Sequence, residues 1–125
     1  MNEILRYQVP VIAWLILMII LSSLADFYKL GFGVKFEDKW EHFIVYTIFG
    51  LLLGRAIYHQ NLFPKMKIHY FWATLAVGVS LGIADEFHQY FIPVRDADVY
   101  DLAANTVGIF FSMFIKRIYY AFTSL

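Results

Sequence analysis

Four apolar stretches, each near the length of a membrane-crossing helix, alternate with short polar connections along this chain. A hydrocarbon core about 30 Å thick, crossed at about 1.5 Å per residue, asks for roughly 20 mostly apolar residues, with about 17 to 25 tolerated. Residues 9–25, 40–58, 68–84 and 102–120 meet that requirement. The expected fold is all-α: a four-helix transmembrane bundle in which residues 1–125 form a single domain, because the connections are short and no repeat or Ser/Gly-rich linker interrupts them. Composition agrees, with 61% of residues apolar and 16% charged, where soluble chains average about 45–50% and about 25%. The aromatic share of 20% fits rings seated at the headgroup level with one end wet.

The first stretch has a second reading. Arg6, the apolar run and Ser23-Leu24-Ala25 loosely resemble a signal peptide with its cleavage site, but the run is long enough for a retained span, which is the expectation adopted. Ten Lys plus Arg balance ten Asp plus Glu, leaving no basic surface for nucleic acid, which is excluded as a partner. The absence of Cys excludes a disulfide framework, thiolate catalysis and Cys-ligated metal.

Basic residues near span ends stay on the cytoplasmic side. Arg6, Arg55, Lys65, Lys67, Lys116 and Arg117 fall at one end, against Lys29, Lys35, Lys39 and Arg95 at the other, which places both termini in the cytoplasm. The acids Asp26, Glu37, Asp38, Glu41, Asp85, Glu86, Asp96, Asp98 and Asp101 all fall at the outward end. No charged residue is expected near the cytoplasmic half of the spans, which weighs against a proton or ion pathway.

Within that acidic end, helical spacing sorts the residues into faces. Asp98, Asp101, Asn105, Gly108 and Ser112 recur at three or four residues and form a polar stripe on one face of the fourth segment. From Asp98 to Asn105 it descends about 10 Å, and a carboxylate at the bilayer centre costs about 2.5–3.5 kcal/mol, so the stripe should face protein. A helix N-terminus, with Asp98 as cap and Asp101 favoured by the dipole, accounts for the acids but leaves Asn105 unexplained. On the third segment Asp85, His88 and Gln89 share a face, with Gly78 and Gly82 upstream in the spacing that permits close helix approach. Gly50 and Gly54 repeat that spacing on the second.

Asp38 and His42 stand four apart, with Tyr46 a turn further in, so the Asp38 carboxylate is placed to fix the His42 tautomer. Alternatively Asp38, Lys39 and Glu41 are solvated interfacial residues, the preferred reading for Glu41. Pro93 ends the third helix. Arg95 reads as the only cation of the acidic region, its planar fork suited to a carboxylate network or to an anionic headgroup.

The ordered set Asp38-Lys39-x-x-His42 with Tyr46, then Asp85-Glu86-x-x-Gln89-x-Phe91-x-Pro93-x-Arg95-x-x-Asp98-x-x-Asp101-x-x-x-Asn105-x-x-Gly108, resembles the VanZ-like family of bacterial membrane proteins. Relatives often carry Gly where Val94 stands. The resemblance implies a multi-pass protein of the bacterial cytoplasmic membrane, in a family named for a member that raises teicoplanin resistance without altering the peptidoglycan precursor. It also implies that Asp38, His42, Asp85, Glu86, Gln89, Arg95, Asp98, Asp101 and Asn105 are functional.

The expected site is an outward polar pocket in which Asp38, His42, Asp85, Glu86, Gln89, Asp98 and Asp101 carry chemistry while Arg95, Asn105 and Tyr46 bind ligand. Membrane lipids and a lipid-linked or lipoglycopeptide ligand are the expected partners. Two other expectations stand beside it. One is a hydrolase or transferase acting on a phosphorylated or acylated lipid, with water as nucleophile, His42 or Glu86 as base and carboxylates such as Asp85 holding Mg²⁺ or Zn²⁺. The other is a scaffold in which the charges lock helix ends together.

Overall fold

A computed structural model describes residues 2–24, 37–93 and 95–123. Val94 and the stretch holding Asp26, Lys29 and Lys35 lie outside the described residues. The described chain is helical, without strands. A π-helical turn at Ile4–Gln8 runs into α1 (Val9–Ser23), followed by α2 (Glu37–His59), a short α3 (Pro64–Ile68), α4 (Tyr70–Gln89) and α5 (Val99–Thr123).

Local chemistry sets the boundaries. After α2, the Gln60 side chain clips the turn, accepting from the Phe63 N–H at 2.7 Å and donating to the Phe63 carbonyl at 2.9 Å. Pro64 then opens α3, where its missing N–H costs nothing. α4 runs five residues beyond the apolar stretch ending at 84, so Asp85 to Gln89 are helical, and it stops ahead of Pro93, which disfavours helical geometry at Ile92. Asp98 caps α5, its Oδ1 accepting from the Tyr100 N–H at 2.8 Å.

The centre of the molecule is the contact between α2 and α5. A Cβ on Gly108 would lie 2.6 Å from the Phe43 carbonyl oxygen and 3.1 Å from the Thr47 nitrogen, so only glycine lets these backbones approach so closely. Gly50 of α2 faces Ser112, and Gly78 of α4 faces Ile109, so the small-residue spacings of the sequence are packing faces. Tyr46, Phe49, Leu53, Ile57 and Ile109 form the core with Val11 and Met18 of α1. α1 is peripheral, pinned by Trp14 Nε1 donating to the Val45 carbonyl at 3.2 Å and Gln8 Nε2 to that of Ala56 at 3.0 Å. Its outer face exposes Ile12, Ile16, Leu17, Ile19 and Ile20.

Among the described residues, two helical stretches, Ile4–Ser23 and Asp38–His59, are long and apolar enough to cross a membrane. α4 and α5 combine apolar outer faces, with Trp72, Ile83, Val107, Phe110 and Phe114 exposed, and polar inner ones, with Thr74, Glu86, Gln89, Asp101, Asn105, Ser112 and Lys116 buried. Lys116 is a charge buried among the helices at the end opposite the acids, where none was expected. Its ammonium donates to the Gly54 carbonyl at 2.9 Å and lies 4.6 Å from the Tyr70 ring centre. A long stem lets the charge turn inward, onto a carbonyl that no Gly54 side chain covers.

Candidate functional site

The N-terminal end of α2, the C-terminal end of α4, the 95–98 turn and the start of α5 meet at one end of the bundle. Asp85 and Glu86 are adjacent on α4, hence turned about 100° apart, and they serve two clusters.

In the first cluster, His42 of α2 stands between Glu86 of α4 and Asp101 and Asn105 of α5. Its Nδ1 is 2.8 Å from Asn105 Oδ1 and 3.8 Å from Glu86 Oε1, and its Nε2 is 3.7 Å from Asp101 Oδ2. With Asn105 Oδ1 accepting from Nδ1–H, the lone pair of the neutral ring sits on Nε2, facing Asp101. Glu86 and Asp101 are each 6% exposed and Asn105 1%. Glu86 Oε2 accepts from the Asp98 backbone N–H at 3.3 Å. Glu86 Oε1 and Asn105 Nδ2 are buried without a hydrogen-bond partner. Asp101 Oδ1, which also makes no geometrically good hydrogen bond, is in ion-pair contact with the Lys39 ammonium. One donor atom each from His42, Glu86 and Asp101 lies within 4.8 Å of the other two.

Lys39 closes this cluster on the outer side. Its ammonium meets Asp38, Asp101 and, at 2.8 Å, Asp98. The Lys39 hydrogen bond, helped by the Tyr100 N–H, holds the Asp98 carboxyl below its ordinary value.

In the second cluster Asp85 is saturated. Ser22 Oγ donates to Oδ1 at 2.6 Å, while the Tyr46 hydroxyl and Gln89 Nε2 donate to Oδ2 at 3.2 Å each. Arg95 donates to the Ser22 carbonyl at 3.2 Å, tying the turn before α5 to the end of α1. Beside this cluster a cavity of about 270 Å³ opens between α1, α2 and α4. Its walls are Leu15, Met18, Ile19, Leu81 and Ala84, with Tyr46, Asp85 and His88 at its polar margin.

All ten residues expected to form the site fall at this end of the bundle, but several of their expected relations differ. The Asp38 carboxylate meets Lys39, and the His42 partners are Asn105, Glu86 and Asp101. The reason is rotation: the face of α2 that carries His42 turns toward α5. Arg95 is not the only cation of the region, since Lys39 lies among three aspartates. His88 is exposed, sits 3.0 Å from the Ser23 hydroxyl and lines the same cavity as Asp85. Nor does Asp85 belong to the group of three donors suited to a metal. Lys39 and Ser22 are the site residues that sequence reasoning missed. Lys39, His42 and Tyr46 recur at three and four residues, which would have revealed the first. A hydroxyl ending an apolar run gave no sign of the second.

A family model described as VanZ/LLP1 matches residues 6–120, nearly the whole chain. No curated protein and no solved structure matches it.

Proposed function

The chain belongs to the VanZ/LLP1 family, and from that premise we propose that it is a multi-pass protein of the bacterial cytoplasmic membrane. In this reading α1, α2, α4 and α5 are four spans with both termini cytoplasmic. The outward polar pocket binds or modifies the head of an amphiphilic envelope component and lowers susceptibility to lipoglycopeptides such as teicoplanin. The observation that carries it is the junction of a polar cluster with an apolar cavity at Tyr46 and Asp85, which suits a molecule with a polar head and a hydrocarbon body. The apolar outer faces of α4 and α5 support membrane immersion of helices whose inner faces are polar.

The test is teicoplanin susceptibility in a bacterial host expressing the chain, with membrane abundance measured in parallel. The wild-type chain should lower susceptibility, and Arg95→Ala and Glu86→Gln should abolish the effect at unchanged abundance. Variants that protect as well as the wild type would remove the pocket from the function.

A second reading, hydrolysis or transfer on a phosphorylated or acylated lipid, is favoured by the His42 imidazole held by Asn105 beside two carboxylates. Water is the nucleophile in that reading, and His42 or Glu86 takes its proton. Release of phosphate or fatty acid from lipid in mixed micelles, lost in His42→Gln, distinguishes it from binding alone.

A further inference from the structure

We propose that His42, Glu86 and Asp101 form a site for a divalent cation of the Zn²⁺ class. The inference rests on the reading above only for the side of the membrane on which the site opens. Three helices supply one donor each, with His42 from α2, Glu86 from α4 and Asp101 from α5, and the donor atoms lie within 4.8 Å of one another. An imidazole nitrogen with two carboxylates suits a borderline metal, and three protein ligands leave a position for water or substrate.

A group of acids alone would be poor evidence for an ion. The stronger observation is that Glu86, 6% exposed, turns its Oε1 into this space with no hydrogen-bond partner. Leaving such an atom unsatisfied costs about 1–3 kcal/mol, and more when it is charged. Lys39 does not meet the need, because its ammonium is engaged with Asp38, Asp98 and Asp101. Asp101 is divided between the two tasks, with Oδ1 on Lys39 and Oδ2 toward the His42 Nε2. Among the described residues this end carries the acids Glu37, Asp38, Glu41, Asp85, Glu86, Asp96, Asp98 and Asp101 against the cations Lys39 and Arg95, an excess of negative charge that favours a cation.

Asn105 is the positioning residue. Its contact with His42 Nδ1 at 2.8 Å is the outer hydrogen bond that a metal-bound histidine ordinarily makes, and it leaves Nε2, 3.7 Å from Asp101 Oδ2, as the ring's ligand atom. In the hydrolytic reading the ion takes the activating task from His42 by acidifying bound water. In the binding reading it supplies the positive charge that an anionic head requires in an acidic pocket.

The experiment uses the full chain, purified in detergent and stripped with chelator, then titrated with Zn²⁺ and Mg²⁺ by calorimetry. Saturable Zn²⁺ binding is expected at one ion per chain, at least about tenfold tighter than Mg²⁺ because one ligand is nitrogen. Glu86→Gln should weaken it by more than the roughly 10- to 100-fold that loss of an outer partner costs, while Glu41→Gln, at an exposed acid, leaves it unchanged. Cobalt in the wild-type protein adds a readout that needs no variant, since its visible bands are intense in a four- or five-coordinate protein site and weak in the six-coordinate aqua ion.

A chain that stays metal-free in excess Zn²⁺ overturns the proposal in favour of a proton on Glu86. Equal loss in Glu41→Gln, tighter Mg²⁺ binding or a cobalt spectrum no different from that of the aqua ion also overturns it. Zn²⁺ binding in a chain that leaves teicoplanin susceptibility untouched would overturn the functional reading alone.

Discussion

Replacing Gly108 by Ala and Gly82 by Ala adds the same methyl group to two glycines on neighbouring helices, and the structure gives the two changes opposite signs. At Gly108 the new carbon would sit 2.6 Å from the Phe43 carbonyl oxygen and 3.1 Å from the Thr47 nitrogen. Both are backbone atoms of α2, so no side-chain rotation relieves the clash and the helices must part. At Gly82 the nearest atoms, of Asn105 and Tyr46, are at 3.5 Å, an ordinary contact. Overpacking costs about 1–3 kcal/mol, and the rigid neighbours of Gly108 put it near the upper end. Alanine recovers about 1 kcal/mol over glycine inside a helix. The net expectation is a loss of about 2 kcal/mol at Gly108 and a gain approaching about 1 kcal/mol at Gly82. With roughly 4 °C per kcal/mol for a chain of this size, the two apparent midpoints should differ by about 10 °C. The assay is thermal unfolding in detergent followed by far-ultraviolet circular dichroism. Midpoints that fall together, or a Gly108→Ala protein as stable as the wild type, would refute the claim that backbone contact sets the α2–α5 spacing.

Two further changes separate roles held by single residues. Asp98→Ala loses the cap of α5 as well as a Lys39 partner and should cost about 1 kcal/mol or more, whereas Asp98→Asn keeps the cap. The Asp98 carboxyl is depressed in the fold, so its contribution is complete above the ordinary value of 3.8 and is lost as pH falls through the lower folded value. Asp98→Asn should therefore flatten the acid limb of stability below pH 3.8, as read by thermal midpoints across pH. Asn105→Ala, which frees the His42 ring, should weaken Zn²⁺ binding by about 10- to 100-fold in calorimetry while leaving a His42 ligand in place.

The site is legible in the sequence where periodicity alone decides the outcome. Asp101, Asn105, Gly108 and Ser112 lie on one face of any helix, and burial of that face follows from the cost of turning it to lipid. The Asp98 cap was equally legible, because it depends only on residues within two positions. What the spacing does not contain is the rotation of one helix against another. Asp38 and His42 are correctly spaced for each other along α2, yet α5 presents Asn105 and Asp101 to the ring, and Lys39 draws Asp38 away. Asp85 and Glu86 are neighbours in sequence and are parted by the helical turn. Only the placement of the helices around α4 determines that Asp85 meets two hydroxyls and an amide while Glu86 keeps an unsatisfied oxygen. Lys116 escaped for a related reason, because a long stem near a helix end can reach water or turn inward, and the carbonyl of Gly54 decides which.

Packing and chemistry meet within one peptide unit. The carbonyl that forbids a side chain at Gly108 belongs to Phe43, the residue after His42, and Asn105 stands three residues before Gly108 on the same face of α5. The approach of the two backbones therefore sets the distance at which Asn105 meets the ring. It also sets how far His42 lies from Asp101, one helical turn further out. Side chains of bulk at Gly108 would move the imidazole away from both partners without touching either. A buried carboxylate with a free oxygen is tolerable only where its neighbours cannot collapse to cover it. Glu86 lies against helices whose separation is fixed by backbone, so its Oε1 stays without a hydrogen-bond partner. It follows that Gly108→Ala should impair ion binding as well as stability, although the substituted residue contributes no ligand.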